Sequence, residues 1–149
     1  MAESNVLTLG MRRVLPTTLA LVFEFFTDPN QMARWWGPEG FSTPDLEFNP
    51  RVGESFRVEM QPPDGDAFHL TGEFRQVDPP TRLAYTFRWE EPDPDDVETL
   101  VDLSFRDLGE STEVVFIQGP FKTEARLALH RNGWTDGFDK LEELLSSQA

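Results

Sequence analysis

The chain reads as an α+β protein, an antiparallel meander of short strands folded onto one long C-terminal helix. Three observations carry this. Residues 122–145, KTEARLALHRNGWTDGFDKLEELL, are the longest segment with apolar residues at helical spacing. Leu127, Trp134, Phe138, Leu141 and Leu145 share one stripe, while Glu124, Arg131, Asp139, Glu142 and Glu143 mostly fall off it. Upstream, short runs alternate apolar and polar residues, each bounded by Gly or Pro. The spacing between them is that of hairpins. A helix of about 24 residues is roughly 36 Å long and can cross a small domain, so its stripe must be buried against the sheet.

Residues 6–14 alternate, with Leu7, Leu9 and Met11 on one side and Thr8 and Arg12 on the other, which predicts the first strand. Pro16 and Thr17 then open a helix, Pro at the first helical position and Thr as a cap. Leu19, Val22, Phe23 and Phe26 are its apolar face, and Asp28-Pro29 ends it. Asn30 is placed to cap a second short turn, QMARWW, before the turn cluster Gly37-Pro38-Glu39-Gly40. Strands follow at 45–48, 53–60, 67–77, 82–89, 99–105 and 112–117. Pro62-Pro63-Asp64-Gly65, Asp78-Pro79-Pro80 and Asp107-Leu108-Gly109-Glu110 are turns between them. The loop at 90–96, EEPDPDD, has no apolar anchor and predicts a mobile connection. Gly119-Pro120 predicts a break before the long helix.

A length of 149 residues fits a single domain, 1–149, able to bury a core without staples. There is no Cys, hence no disulfide framework and no thiolate chemistry. The start, MAESNVLTLGMRRV, carries no apolar signal region, and no run is long enough to span a membrane, which predicts a soluble, cytoplasmic protein. The formal charge is −14, from 27 acids against 13 bases, and it repels phosphate backbones, so nucleic acid is not an expected partner. His69 and His130 stand far apart, with no His/Glu pair at i, i+4 spacing, so neither a metal nor a cofactor is expected. Sequences of the GxSxG, GxxxxGK[ST] and GxGxxG types are absent, which leaves hydrolase and nucleotide readings without support.

Several motifs resemble those of a known family in its order: Arg34-Trp35-Trp36-Gly37-Pro38, Gly53-Glu54-Ser55-Phe56, Pro62-Pro63-Asp64-Gly65, Leu70-Thr71-Gly72-Glu73-Phe74, Val77-Asp78-Pro79-Pro80 with Arg82-Leu83, and His130-Arg131-Asn132-Gly133-Trp134. On these the chain resembles the START-like, or SRPBCC, superfamily, and within it the homologues of the activator of the ninety-kilodalton heat-shock protein's ATPase (AHSA-like). The resemblance implies a helix-grip (Bet v-like) fold, a curved antiparallel sheet of about six to seven strands wrapped on the C-terminal helix, with two short helices after the first strand. It also implies a cavity between that helix and the concave face of the sheet.

The residues supply a lining for such a cavity: Trp134 and Phe138 from the helix, Tyr85 and Phe87 from one strand, Leu70 and Phe74 from its neighbour, Val101 and Leu103 from a third. Simple core packing is the alternative for each. Gly72, Gly133 and Gly137 favour a hollow by withholding side chains. His130 lies on or beside the buried stripe and Tyr85 on the apolar face of its strand, so either can offer a hydrogen bond or a proton. His69 falls on the opposite face from Leu70, an exposed position. Of Trp35 and Trp36, one is expected inside and the other at the cavity mouth.

Three functions of different classes are compatible with the resemblance. The leading one is binding of a small hydrophobic or amphipathic molecule, by a monomer or a homodimer. The second is a co-chaperone-like module of stress response with a chaperone as partner; the third is a cyclase- or hydratase-like enzyme using His130 or Tyr85 as acid or base.

Overall fold

A seven-stranded antiparallel sheet and a long helix crossing it dominate the computed structural model, which describes residues 7–147. In chain order the elements are β1 (Leu7–Leu15), α1 (Leu19–Thr27), α2 (Pro29–Met32), β2 (Leu46–Glu47), β3 (Ser55–Met60), β4 (Phe68–Asp78), β5 (Arg82–Trp89), β6 (Thr99–Asp107), β7 (Thr112–Phe121) and α3 (Glu124–Ser146). Sheet order is β1-β7-β6-β5-β4-β3-β2. Each chain-adjacent pair from β2 to β7 is a hairpin, and β1 closes the far edge on β7. The sheet curves around α3 in the helix-grip arrangement, with α1 and α2 inserted after the first strand, as the sequence predicts.

Alternation decides which face of each strand is buried. Leu9 and Leu15 of β1 are buried and Thr8, Arg12 and Val14 are exposed; Val6, predicted in this strand, lies outside the described residues. On β1's helix-facing side Arg13 donates to Asp139 Oδ1 at 2.9 Å and Glu142 Oε1 at 3.0 Å, tying the edge strand to α3. The predicted stripe of α3 is buried at Trp134, Phe138, Leu141 and Leu145, and Leu127 is half-buried.

Local punctuation differs from the reading at three points. Thr18, not Thr17, precedes α1, without a side-chain cap. For α2 the cap is Asp28, whose side chain accepts from Asn30 N at 2.9 Å, with Pro29 as first helical residue; the fixed φ of Pro moves the start two residues earlier than Asn30 would. Gly119-Pro120 does not break the chain. β7 continues to Phe121 because Gly119 pairs with Leu100 on one side and Phe121 with Leu7 on the other. The helix then starts behind Thr123, whose hydroxyl accepts from Arg126 N at 3.0 Å.

Two aromatic clusters fill most of the interior. Phe26 meets Trp35 at 4.9 Å and Phe105 at 5.1 Å between ring centroids, beside Phe138 of α3. Phe48, Phe56, Phe74 and Tyr85 pack edge to face on the β2–β5 side, with Phe48–Phe74 at 4.9 Å and Phe56–Tyr85 at 5.1 Å. Trp35 is wholly inside, its Nε1 donating to Phe25 O at 2.9 Å.

Candidate functional site

The interior is not filled at the N-terminal half of α3. A half-open cleft of about 430 Å³ lies there between the helix, the turn after α2, the ends of β3–β5 and the loop joining β5 to β6. From α3 it is lined by Arg126, Leu129, His130, Gly133 and Trp134; from the turn after α2 by Trp36, Pro38 and Phe41; from the strand ends by Met60, Phe68, Phe87 and Trp89. The turn is held on the helix by Glu39 N donating to Asp136 Oδ2 at 3.1 Å and Lys140 Nζ to Pro38 O at 3.4 Å.

Four of the predicted lining residues therefore meet in one place: Trp36, Phe87, His130 and Trp134. Trp134 packs between Trp36 (edge to face, 5.1 Å) and Phe116 (tilted, 4.6 Å), and its Nε1 donates to the buried Gln118 Oε1 at 2.8 Å. Gln118 in turn donates from Nε2 to Thr99 Oγ1 at 2.9 Å, so the indole is fixed by a buried polar chain. The other predicted residues do not line this cleft. Leu70, Phe74, Tyr85, Val101, Leu103 and Phe138 lie outside the lining, in packed core. The glycine argument also fails at two of its three positions. A Cβ on Gly72 would lie 1.9 Å from Thr86 O and 2.5 Å from the Phe56 ring, and one on Gly137 3.2 Å from Trp35 O. These glycines admit neighbouring backbone, not a hollow. Gly133 does face the cleft, with only Pro38 Cγ near its Cβ position, at 3.5 Å.

His130 is 8% exposed and is walled by Phe87, Trp89 and Phe121, with centroids 5.3, 6.0 and 4.9 Å away. Its hydrogen bond among the described residues is a long one, from Trp89 Nε1 to Nε2 at 3.5 Å. Burial, helped by the neighbouring Arg126 charge, pushes its pKa down to about 4, so the ring is neutral near pH 7. Burial holds the Tyr85 hydroxyl far above its ordinary range, and its place in the Phe48–Phe56–Phe74 cluster removes it as an acid or base for this cleft.

The acidic loop is the largest departure from the sequence reading. It is docked. Arg126 Nη2 donates to Asp93 Oδ2 at 2.8 Å and Asp95 Oδ1 at 2.9 Å, and Arg126 Nε lies 3.1 Å from Asp96 Oδ1 without hydrogen-bond alignment. Thr123 Oγ1 also donates to Asp95 at 3.1 Å, and Lys122 Nζ to Pro94 O at 3.1 Å. At the other end of the loop Glu90 accepts from Arg57 at 2.8 and 3.1 Å, and Glu91 from His69 N at 2.8 Å with His69 Nδ1 2.7 Å away. His69 is accordingly half-buried. The bonds from Arg57, His69 and Arg126 hold the Glu90, Glu91 and Asp95 carboxyls below their ordinary pKa. Among the described residues, His69, Glu90 and Glu91 bring metal-ligand-type atoms within 4.8 Å of one another, and the contacts just given engage all three.

Phe68 and Trp89 were legible as cleft residues, since each ends a strand on the same face as a predicted one. Arg126 was not, because its role depends on where the loop lands.

A curved antiparallel sheet gripping a C-terminal helix, with its opening at the helix's N-terminal half, is the helix-grip fold that the sequence resemblance implies. Residues 16–146 match the model of the family described as "Activator of Hsp90 ATPase homolog 1-like protein", and the chain belongs to that family. Its fold is similar to that of a protein from Chromobacterium violaceum at 24% identity, covering 93% of this chain and 96% of that one, with a TM-score of 0.85. The AHSA1 protein from Silicibacter pomeroyi is similar at 23% identity over 95% of this chain and 99% of that one, TM-score 0.84. A protein from Nitrosomonas europaea is 25% identical over 98% of each chain, TM-score 0.81. No curated protein matches the chain. Among the described residues no helix is long and apolar enough to cross a membrane.

Proposed function

We propose that the chain binds a small hydrophobic or amphipathic molecule in the cleft beside the N-terminal half of α3. The observation that supports this most is a hollow of about 430 Å³ walled by Trp36, Phe87, Trp89 and Trp134 in a molecule whose other aromatics are closely packed. Ligand sites are typically about 300–1,000 Å³, mostly apolar, with a few placed polar groups. Neutral His130, whose Nε2 accepts from the Trp89 indole, supplies such a group here. Titration with the neutral probe N-phenyl-1-naphthylamine tests the proposal: saturable one-to-one binding in the micromolar range is expected, and a signal that never saturates up to about a millimolar would overturn it.

A second reading, a chaperone-binding module, is favoured by the family's description alone. Stimulation of an Hsp90-type ATPase by the purified chain would support it. An ATPase rate unchanged at a tenfold excess of the chain would remove it.

A further inference from the structure

The cleft is apolar inside and acidic at its rim, and that division suggests the kind of ligand it takes. Aromatic faces of Trp36, Phe87, Trp89 and Trp134 form the wall, while Glu91, Asp93 and Asp96 are its carboxylates. Against these three stands one charged base, Arg126. Its guanidinium is engaged by Asp93, Asp95 and Asp96 and is only 12% exposed, so little of its charge is offered to the cleft. The Glu91 and Asp93 carboxylates accept from His69 and Arg126, yet their side chains stay 51% and 69% exposed at the mouth, which leaves each with lone pairs for a further cation. The chain as a whole carries −14, so the long-range field attracts cations as well.

We infer that the cleft selects amphipathic organic cations, such as alkyl or arylalkyl ammonium compounds, with the apolar body on the aromatic wall and the charge beside Glu91 and Asp93. This rests on the ligand-binding reading above and names its ligand class. The physical basis is twofold. Indole and phenyl faces attract a cation through the ring quadrupole, best for Trp and best when water is excluded. A carboxylate rim adds Coulomb attraction that falls with salt. An anionic amphiphile meets the opposite field, and the charge of its one candidate partner, Arg126, is already compensated by Asp93, Asp95 and Asp96. His130 does not oppose a cation, because the ring next to the wall is uncharged.

The test is calorimetric titration of the full chain with three probes that share a phenylbutyl body and differ in the head: phenylbutyl-trimethylammonium, 4-phenylbutanol and 5-phenylpentanoate. The ammonium compound should bind about tenfold tighter than the alcohol, the carboxylate more weakly than either, and the advantage should shrink between 20 and 500 mM salt. In a Glu91→Gln, Asp93→Asn double variant the ammonium affinity should fall at least threefold while the alcohol affinity stays the same. If that variant does not fold, the head-group series and its salt dependence in the wild-type chain still decide. Equal affinity for ammonium and alcohol would overturn the charge selection and leave the cleft reading standing. Tightest binding of the carboxylate would overturn it in favour of Arg126 as the reader of the head group. Binding of none of the three would remove the cleft reading and this inference together.

Discussion

The two halves of α3 face equally aromatic surroundings, yet one is solid and the other hollow. In the C-terminal half Phe138 lies among Phe26, Trp35 and Phe116, and Gly137 lets the Trp35 carbonyl come to 3.2 Å of where a Cβ would be. In the N-terminal half His130 and Trp134 are also buried, but the neighbouring Gly133 meets only Pro38 Cγ at 3.5 Å. Hydrophobic content does not distinguish the two. What does is the closing element: α1 and Trp35, which follows α2, lay rings and backbone on one half, whereas a polar loop latched by Arg126 stands over the other. Packed aromatics confer stability, and a half held open by a loop and a turn confers capacity.

The contrast breaks most visibly on side-chain deletion. Phe138→Ala should cost about 3 to 5 kcal/mol in denaturant melts, a large share of a typical total stability of about 5 to 15. Phe68→Ala, on the cleft wall, should cost below about 2. Similar losses at both would mean that the cleft is as tightly packed as the core.

Adding a methyl sharpens the same comparison. Gly72→Ala places a Cβ against the Thr86 carbonyl, which cannot retreat without breaking the β4–β5 pairing, and should cost about 3 kcal/mol, the upper end of overpacking. Gly133→Ala should instead stabilise by up to about 1 kcal/mol through helix propensity. Thermal melts of the two, moving in opposite directions, are the expected result.

A titration separates the halves by pH. His130, at about 4 in the folded state against about 6.5 unfolded, binds its proton more readily in the unfolded chain, so stability should fall as pH drops from near 7 toward 4. The full effect is on the order of 3 kcal/mol, and His130→Phe should flatten that slope. The Glu91 and Asp95 carboxyls act in a lower window. Their folded pKa values are depressed, so their contribution is present above the unfolded value near 4 and is lost as pH falls through the lower folded value. Melts of wild type and His130→Phe between pH 2 and 7 check both signs.

The smallest effect belongs to the latch. Arg126→Met keeps the aliphatic stem and removes the bonds to Asp93 and Asp95; discounting for solvent around the carboxylates, the loss should be about 1 kcal/mol, with faster amide exchange confined to the loop.

Periodicity made the sheet, its strand order along the chain and the stripe on α3 legible, because faces of strands and helices repeat at fixed intervals. It also placed Phe87, His130 and Trp134 on buried faces. It could not tell them from Phe138, Tyr85 or Leu70, since apolar spacing reports which face is buried and not whether anything fills the space opposite. The glycines misled for the same reason: Gly72 and Gly133 both lack a Cβ, and only the partner across the gap, Thr86 O in one case and open cleft in the other, separates their roles. The loop at 90–96 read as a mobile connection because its partners, Arg57, His69 and Arg126, are distant in sequence.

Gly133→Leu puts the central contrast to a direct test, because it fills the cleft from the helix without touching the packed half. Its stability and its titration with N-phenyl-1-naphthylamine should be measured on the same samples as wild type. The expected result is a melting midpoint within a few degrees of wild type and probe affinity reduced at least tenfold. A stable Gly133→Leu protein that still binds the probe at wild-type strength would contradict the account.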